Sequence, residues 1–163
     1  MERRLIIMRH AKSTHDDPSL SDHQRPLADR GWRQGREIAE RLAEIGWIPQ
    51  LLISSDSCRT RQTWESMAAL HDEELDVLWD ENLYLAGTQA ICSALEDVDD
   101  GITDVMVLGH NPGWEAATAY FTGEYHTLTT SNAVLLSAEA DSWTDLLRPK
   151  AFELVSILRP RKG

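Results

Sequence analysis

The sequence contains few cysteines, since Cys58 and Cys92 are the only two among its 163 residues. Two cysteines so far apart are too few for a disulfide framework and do not have the spacing of a zinc site. We therefore expect a reduced protein of the cytoplasm, in which both thiols stay free.

The chain also lacks long apolar runs and an excess of basic residues. Only a short apolar run follows Met1–Arg4, so we expect neither a signal peptide nor a membrane span there. Lys and Arg number 16 against 27 Asp and Glu, which gives a net charge of -11. This charge argues against nucleic acid or an anionic membrane surface as the main partner. The acidic runs Asp72–Glu74 and Asp97–Asp100 are expected on the solvated surface.

Short apolar runs that suit buried strands alternate with segments of helical spacing. Strands are predicted at Leu5–Met8, Leu51–Ile53, Leu75–Trp79, Val105–Leu108, Ala133–Ser137 and Phe152–Leu158. Helices are predicted at Ala28–Ile45, from Ser57 to about Leu70, around Ile91–Val98, and from a capping Asn111 to about Phe121. We therefore expect an α/β fold, a three-layer α/β/α sandwich around a mostly parallel, mixed sheet, with residues 1–163 in one domain.

Two histidines come directly after two of the predicted strands. One apolar run ends in Arg9 and His10, and another ends in a glycine and His110. In open parallel sheets, ligands bind in the crevice beyond the carboxyl ends of the strands. Arg59 follows the turn after the second strand, and Arg25 lies in the loop after the first. The pattern indicates a site that binds an anion.

These residue types suit phosphoryl transfer through histidine. A neutral ring nitrogen can attack phosphorus and form a covalent intermediate, which divides one hard step into two easier ones. Arginine pairs its planar guanidinium with phosphate oxygens. A second histidine can donate a hydrogen bond to the charge that grows on the transferred group.

Four blocks of the sequence resemble the histidine phosphatase superfamily, which contains the phosphoglycerate mutases. They are Leu5–Ser13, with its arginine–histidine signature, Arg25–Gly31, Ser54–Thr63 and Gly109–Gly113. The set covers nearly the whole chain and is most similar to the short SixA-type phosphohistidine phosphatases. The resemblance implies a phosphoglycerate mutase-like fold and a metal-independent phosphatase without a cofactor.

The resemblance also implies roles for individual residues. His10 is expected to be the nucleophile that becomes phosphorylated, with Arg9, Arg59 and His110 around the phosphate. Arg25 matches a further arginine of the short SixA-like members. Contacts with the substrate are also implied for two polar residues, Ser13 and Asn111.

A glutamate after the third predicted strand is the candidate proton donor. Mutase-like members carry a glutamate there, and Glu81 occupies the matching location. A buried carboxyl that faces a phosphate would have a raised pKa, as an acid catalyst needs. The alternative is a helix-capping or surface role, because a protonated imidazole already leaves phosphorus easily. Both interpretations stay open.

The resemblance and the small size predict phosphohistidine in a protein as the substrate. Few residues remain for a lid, which favours an open site for a protruding side chain and argues against a mutase. The alternatives are a phosphatase of small phosphorylated metabolites and a catalytically silent module that binds phosphate. A cysteine phosphatase is excluded, because a phosphate loop after Cys58 would need arginine where the chain has Trp64. No Asp or His cluster has the spacing of a metal phosphatase.

Overall fold

The computed structural model describes residues 1–161, which form an α/β fold. The strands are β1 (Glu2–Arg9), β2 (Leu51–Ser54), β3 (Asp76–Trp79), β4 (Asp104–Gly109), β5 (Ala133–Glu139) and β6 (Glu153–Leu158). The helices are α1 (Asp29–Glu44), α2 (Cys58–Ser66), α3 (Thr88–Glu96) and α4 (Gly113–Thr122). Short 3₁₀ turns lie between several of these elements.

The described strands form one sheet in the order β3-β2-β4-β1-β5-β6. β1, β2, β3 and β4 run parallel to their neighbours in this group, whereas β5 is antiparallel to β1, and β6 to β5. Helices connect the parallel strands, because such strands need a long crossover. The prediction of a mostly parallel, mixed sheet is confirmed.

Helices cover the sheet on both faces, because successive residues of a strand point to opposite sides. Leu5 and Ile7 of β1 belong to a core cluster with residues of α3 and α4, among them Trp114. Ile6 and Met8 belong to a second cluster with residues of α1 and α2. Each buried side chain of this kind stabilises the fold by about 1.5–3 kcal/mol. The predicted three-layer sandwich is therefore confirmed.

Both ends of α1 lie close to the predicted bounds, whereas the start of α4 differs. Gly46 follows the C-cap residue Ile45 of α1 and adopts a positive φ of 78°, a conformation that glycine adopts without steric cost. α4 begins at Gly113, and Pro112 occupies the N-cap position that the sequence assigned to Asn111. The Asn111 side chain instead donates to the Leu128 carbonyl, 2.8 Å away. Its amide therefore holds a loop beside the helix.

Gly31→Ala should lower the free energy of unfolding by about 1–3 kcal/mol, because overpacking forces the backbone to shift. A Cβ at Gly31 would lie 2.2 Å from the carbonyl oxygen of Lys12, in the loop that follows β1. Chemical denaturation measures the loss. Arg33→Ala, on the exposed side of the same helix, is the matched control and should stay within about 0.5 kcal/mol of the original protein. Equal stability of the two variants would contradict this close approach of α1 to the loop.

Candidate active site

Neighbouring strands bring the two histidines to the same edge of the sheet. Arg9 at the end of β1 is in register with Gly109 at the end of β4, and a histidine follows each of them. The His10 backbone N–H donates to the Gly109 carbonyl at 2.9 Å, which extends the ladder by one bond. The ring centroids of His10 and His110 lie 5.3 Å apart, and both side chains are buried. Residues distant in sequence thus meet beyond the carboxyl ends of two central strands.

The surroundings of His10 fix its protonation state and its tautomer. Its Nδ1 lies 2.7 Å from the carbonyl oxygen of Ala11. A carbonyl only accepts hydrogen bonds, so Nδ1 carries the ring proton and Nε2 keeps its lone pair. Arg59 Nε donates toward that Nε2 over 3.4 Å. Burial, together with nearby arginine charges, lowers the pKa of His10 to about 3, so the ring is neutral at pH 7.

His110 is also neutral and has a partner on each ring nitrogen. Arg59 Nη2 lies 3.3 Å from His110 Nδ1, which must accept because a guanidinium only donates. Nε2 therefore carries the proton and donates to Ser55 Oγ at 2.8 Å. Burial, and then the nearby His10, lower the pKa of His110 to about 3. The edge of Arg59 that carries Nε and Nη2 thus faces both histidines.

Arg9 has hydrogen-bonding capacity that the described residues do not use. One terminal nitrogen donates to the Leu128 carbonyl at 2.9 Å. The buried Nε has no hydrogen-bond partner among the described residues. Burial lowers the pKa of Arg9, although a guanidinium stays charged at any pH of interest. A charged donor without a partner beside the histidines favours an anionic ligand.

The predicted site residues meet, with one exception, in a pocket of about 310 Å³. Its lining includes seven of them, namely Arg9, His10, Ser13, Arg25, Arg59, His110 and Asn111. Arg25 donates to Ser13 Oγ at 3.0 Å and to His15 Nε2 at 2.8 Å. Two strand ends, the loop after β1 and the first turn of α2 therefore supply one cavity lined by cations.

The exception is Glu81, which lies outside this pocket, in keeping with the surface role that the sequence left open. It begins the 3₁₀ turn Glu81–Leu83 and is exposed. It lines a separate groove with Arg61 and Trp79, outside the residues around His10. The turn buries Leu83 in the core instead, which leaves Glu81 on the solvent side. The buried carboxyl that an acid catalyst at this position would require is absent there.

Sequence reasoning missed several residues of the pocket, and Asp22 is foremost among them. Its carboxylate pairs with Arg59 and Arg25 and accepts a hydrogen bond from the Tyr84 hydroxyl. The Tyr84 hydrogen bond, followed by the charge of Arg59, keeps the pKa of Asp22 well below its usual range. The remaining missed residues are Lys12, His15, Ser55, Leu85 and Thr130. The only available signal for Asp22 was its position in a polar loop, close to Arg25.

Within residues 1–161, no group of three or more His, Cys, Asp or Glu side chains could hold a metal ion. No helix there is long and apolar enough to cross a membrane. Arg9, Arg25, Arg59 and Lys12 supply the cationic side chains that line the pocket.

The protein therefore combines an α/β fold with a pocket in which a neutral histidine lies among arginines. This combination defines a class of protein whose site suits an anion of the size of a phosphoryl group. Residues 5–84 match the model of the histidine phosphatase superfamily, branch 1. An uncharacterized chloroplastic protein of Arabidopsis thaliana is 38% identical to this chain over 98% of the chain and 79% of its own length. The chain belongs to the histidine phosphatase superfamily and is a phosphatase.

Solved structures place the fold near the SixA group of this family. A protein of Nakamurella multipartitia, provisionally described as phosphohistidine phosphatase SixA, superimposes with a TM-score of 0.88 at 23% identity, over 99% of this chain and 98% of its own. The protein histidine phosphatase SixA complexed with tungstate gives 0.79 at 22% identity, over 96% and 97% of the two chains. The predicted phosphoglycerate mutase-like, SixA-like fold is confirmed.

The free energy of unfolding should fall as the pH is lowered from about 7 to about 5, because the unfolded chain then binds more protons than the folded one. An unfolded histidine takes up a proton near its ordinary pKa of 6.5, whereas folded His10 and His110 stay neutral until about pH 3. The loss should be about 2 kcal/mol for each histidine at pH 5. Denaturation curves of the original protein, His10→Asn and His110→Asn at both pH values measure it. Equal pH dependence in all three proteins would contradict the buried, neutral state.

Proposed function

We propose that the protein is a metal-independent phosphatase that acts on phosphohistidine in proteins through a phosphohistidine enzyme intermediate. His10 Nε2 attacks phosphorus, and the bond from phosphorus to the nitrogen of the leaving imidazole breaks. Water then attacks the phosphorus on His10, the bond to Nε2 breaks, and inorganic phosphate leaves. His10 returns to its neutral form, since its ring proton stays on Nδ1, hydrogen-bonded to the Ala11 carbonyl, throughout.

The state of His10 supports its role as the nucleophile. Its lone pair on Nε2 exists without a general base, because the hydrogen bond to Ala11 selects the tautomer. During attack the ring becomes positively charged, and the Ala11 carbonyl oxygen stabilises the N–H that carries part of that charge. A catalytically silent module would have no need of a nucleophile prepared in this way.

The arginines support independence from metal ions. Arg9, Arg25 and Arg59 line the same pocket as His10. Together they can neutralise a phosphoryl dianion and the charge that spreads over its oxygens during transfer, which is the task of a metal ion in other phosphatases. His110 borders the same space and can donate to a phosphoryl oxygen once the dianion has raised its proton affinity.

The substrate class rests on one observation, which is that the pocket offers no protonated carboxyl. Asp22 is the only carboxylate among the described residues that line it. Tyr84 and Arg59 keep the pKa of that carboxylate low, so it does not donate a proton to a leaving group. An alkoxide leaving group needs such a donor. The imidazole of phosphohistidine takes its proton from solvent and leaves as a neutral ring, so phosphohistidine fits this pocket best.

A second candidate is a phosphatase of small phosphorylated metabolites. Lys12 is exposed and lines the pocket, so it could pair with a carboxylate or a second phosphate of a small substrate. A phosphorylated protein needs no such partner, although an acidic residue next to its phosphohistidine would also fit. The partner is therefore a phosphorylated protein first and a small phosphorylated molecule second.

Two further expectations stay predictions. The free thiols of Cys58 and Cys92 agree with a reducing compartment, and we place the protein in the cytoplasm. Each core cluster contains residues from one face of β1, which supports the assignment of the chain to a single domain.

Phosphohistidine in a protein should be hydrolysed with a higher kcat/KM than sugar or glycerate phosphates, and EDTA should leave the rates unchanged. Phosphate release from a histidine-phosphorylated protein and from a panel of phosphorylated metabolites measures this directly. Faster hydrolysis of a metabolite would transfer the assignment to the second candidate. Loss of activity in EDTA that a divalent ion restores would overturn metal independence.

His10→Ala should abolish turnover and acid-labile labelling by a phosphorylated substrate, because it removes the Nε2 lone pair that the proposed mechanism uses to attack phosphorus. Quenched-flow labelling and steady-state kinetics provide the measurement, and a denaturation curve shows that the variant folds. Glu81→Gln is the matched control, since Glu81 is exposed outside the pocket, and its kinetics should equal those of the original protein. Normal turnover by folded His10→Ala would overturn the histidine mechanism.

A further inference from the structure

We infer that Asp22 is the positioning residue for Arg59, an inference that rests on the proposed function. Its carboxylate and its own carbonyl hold the outer end of the guanidinium, so that the inner edge faces the phosphoryl group on His10. Asp22 lies in a loop without regular periodicity, in the short 3₁₀ turn Asp22–Gln24.

The donors of Arg59 divide between two sides of the guanidinium. At its outer end, Nη1 donates to the Asp22 carbonyl at 2.7 Å, and Nη2 donates to Asp22 Oδ2 at 3.1 Å. At the inner edge, Nε is 3.4 Å from His10 Nε2, and Nη2 is 3.3 Å from His110 Nδ1. Both inner contacts are long for hydrogen bonds. The short contacts that fix the orientation are therefore those with Asp22, and the inner edge is available to phosphate oxygens.

Arg59 needs such a clamp because it is buried and carries a charge. Only 3% of its side chain is exposed, and Asp22 is its ion-pair partner among the described residues. Removing one partner of a buried ion pair leaves the other charge without compensation. A long side chain also has many rotamers in which the same charge would point elsewhere. Asp22 both compensates the charge and selects the orientation.

Asp22 is itself held by Arg25, which directly follows the same turn, and by Tyr84 from a distant part of the chain. Arg25 Nη2 lies 3.0 Å from Asp22 Oδ1, and the Tyr84 hydroxyl donates to Oδ2. The Tyr84 ring also packs edge-on against His110, with centroids 5.3 Å apart. The carboxylate remains at the solvent side of the pocket, with 48% of its side chain exposed. It therefore acts through Arg59 and does not touch the reacting atoms.

Asp22→Ala should weaken the binding of tungstate and lower kcat with p-nitrophenyl phosphate by about 10- to 100-fold, since small errors in position cost this much. Calorimetry measures tungstate binding, and steady-state kinetics separates kcat from KM. Asp22→Asn keeps the shape of the side chain and one oxygen acceptor, so its loss should be smaller. Added formate should restore part of the activity of Asp22→Ala, because the position is open to solvent. Formate should have no such effect on His10→Ala.

Asp56→Asn is the matched control. Asp56 Oδ1 lies 2.9 Å from Nε2 of His23, which belongs to the same 3₁₀ turn as Asp22. The ion-pair partner of Arg59 among the described residues is Asp22, not Asp56. Its tungstate affinity and kcat should match those of the original protein. Tighter tungstate binding by Asp22→Ala would mean that Asp22 competes with phosphate, and it would overturn the inference, as would unchanged kinetics in Asp22→Ala and Asp22→Asn. If Asp22→Ala does not fold, Asp22→Asn decides alone.

Tungstate binding does not depend on the physiological substrate, so the two proposals can fail separately. Asp22→Ala could weaken tungstate binding and lower kcat as expected while the original protein fails to hydrolyse phosphohistidine. That result would overturn the proposed substrate and leave the positioning role of Asp22 standing.

Discussion

A single buried cation, the guanidinium of Arg59, organises the site. Burying a charge costs several kcal/mol unless partners surround it, so the chain must bring those partners to fixed places. His10 comes from the end of β1, His110 from the end of β4, and Asp22 from the loop between β1 and α1. Ser57 caps α2 by accepting a hydrogen bond from the Thr60 N–H, which fixes the position of the Arg59 backbone in the first turn of that helix. The pocket is therefore a network of contacts in which no part is set independently.

The accuracy of the sequence-based predictions follows from which features are periodic. Apolar runs with period two or without polar interruption define buried strands, so the ends of β1 and β4, and with them both histidines, could be located. Asp22 could not, because a polar loop has no periodicity and its conformation depends on a partner on α2. Glu81 was singled out by its resemblance to a glutamate that mutase-like members carry after their third strand. Its direction depends on Leu83, since the turn buries the apolar residue and exposes the acid.

The two halves of the chemistry are prepared without titration of a carboxyl group. On the attacking side, a backbone carbonyl selects the tautomer of His10, which replaces the general base of a triad. On the leaving side, the pocket's carboxylate is kept ionised by Tyr84 and Arg59. A site of this design favours leaving groups that depart without help from the enzyme. The proposed preference for phosphohistidine thus rests on protonation states as much as on the shape of the cavity.

The buried, neutral state of His10 also has a consequence for how the reaction would respond to pH. The proposed nucleophile has a pKa of about 3, so its charge is the same at every pH between about 5 and 8. It differs in this respect from a histidine whose pKa lies near neutrality. Under the proposed mechanism, a change of pH in that range would act on the substrate and, once a dianion is bound, on His110, while the attacking nitrogen keeps its lone pair.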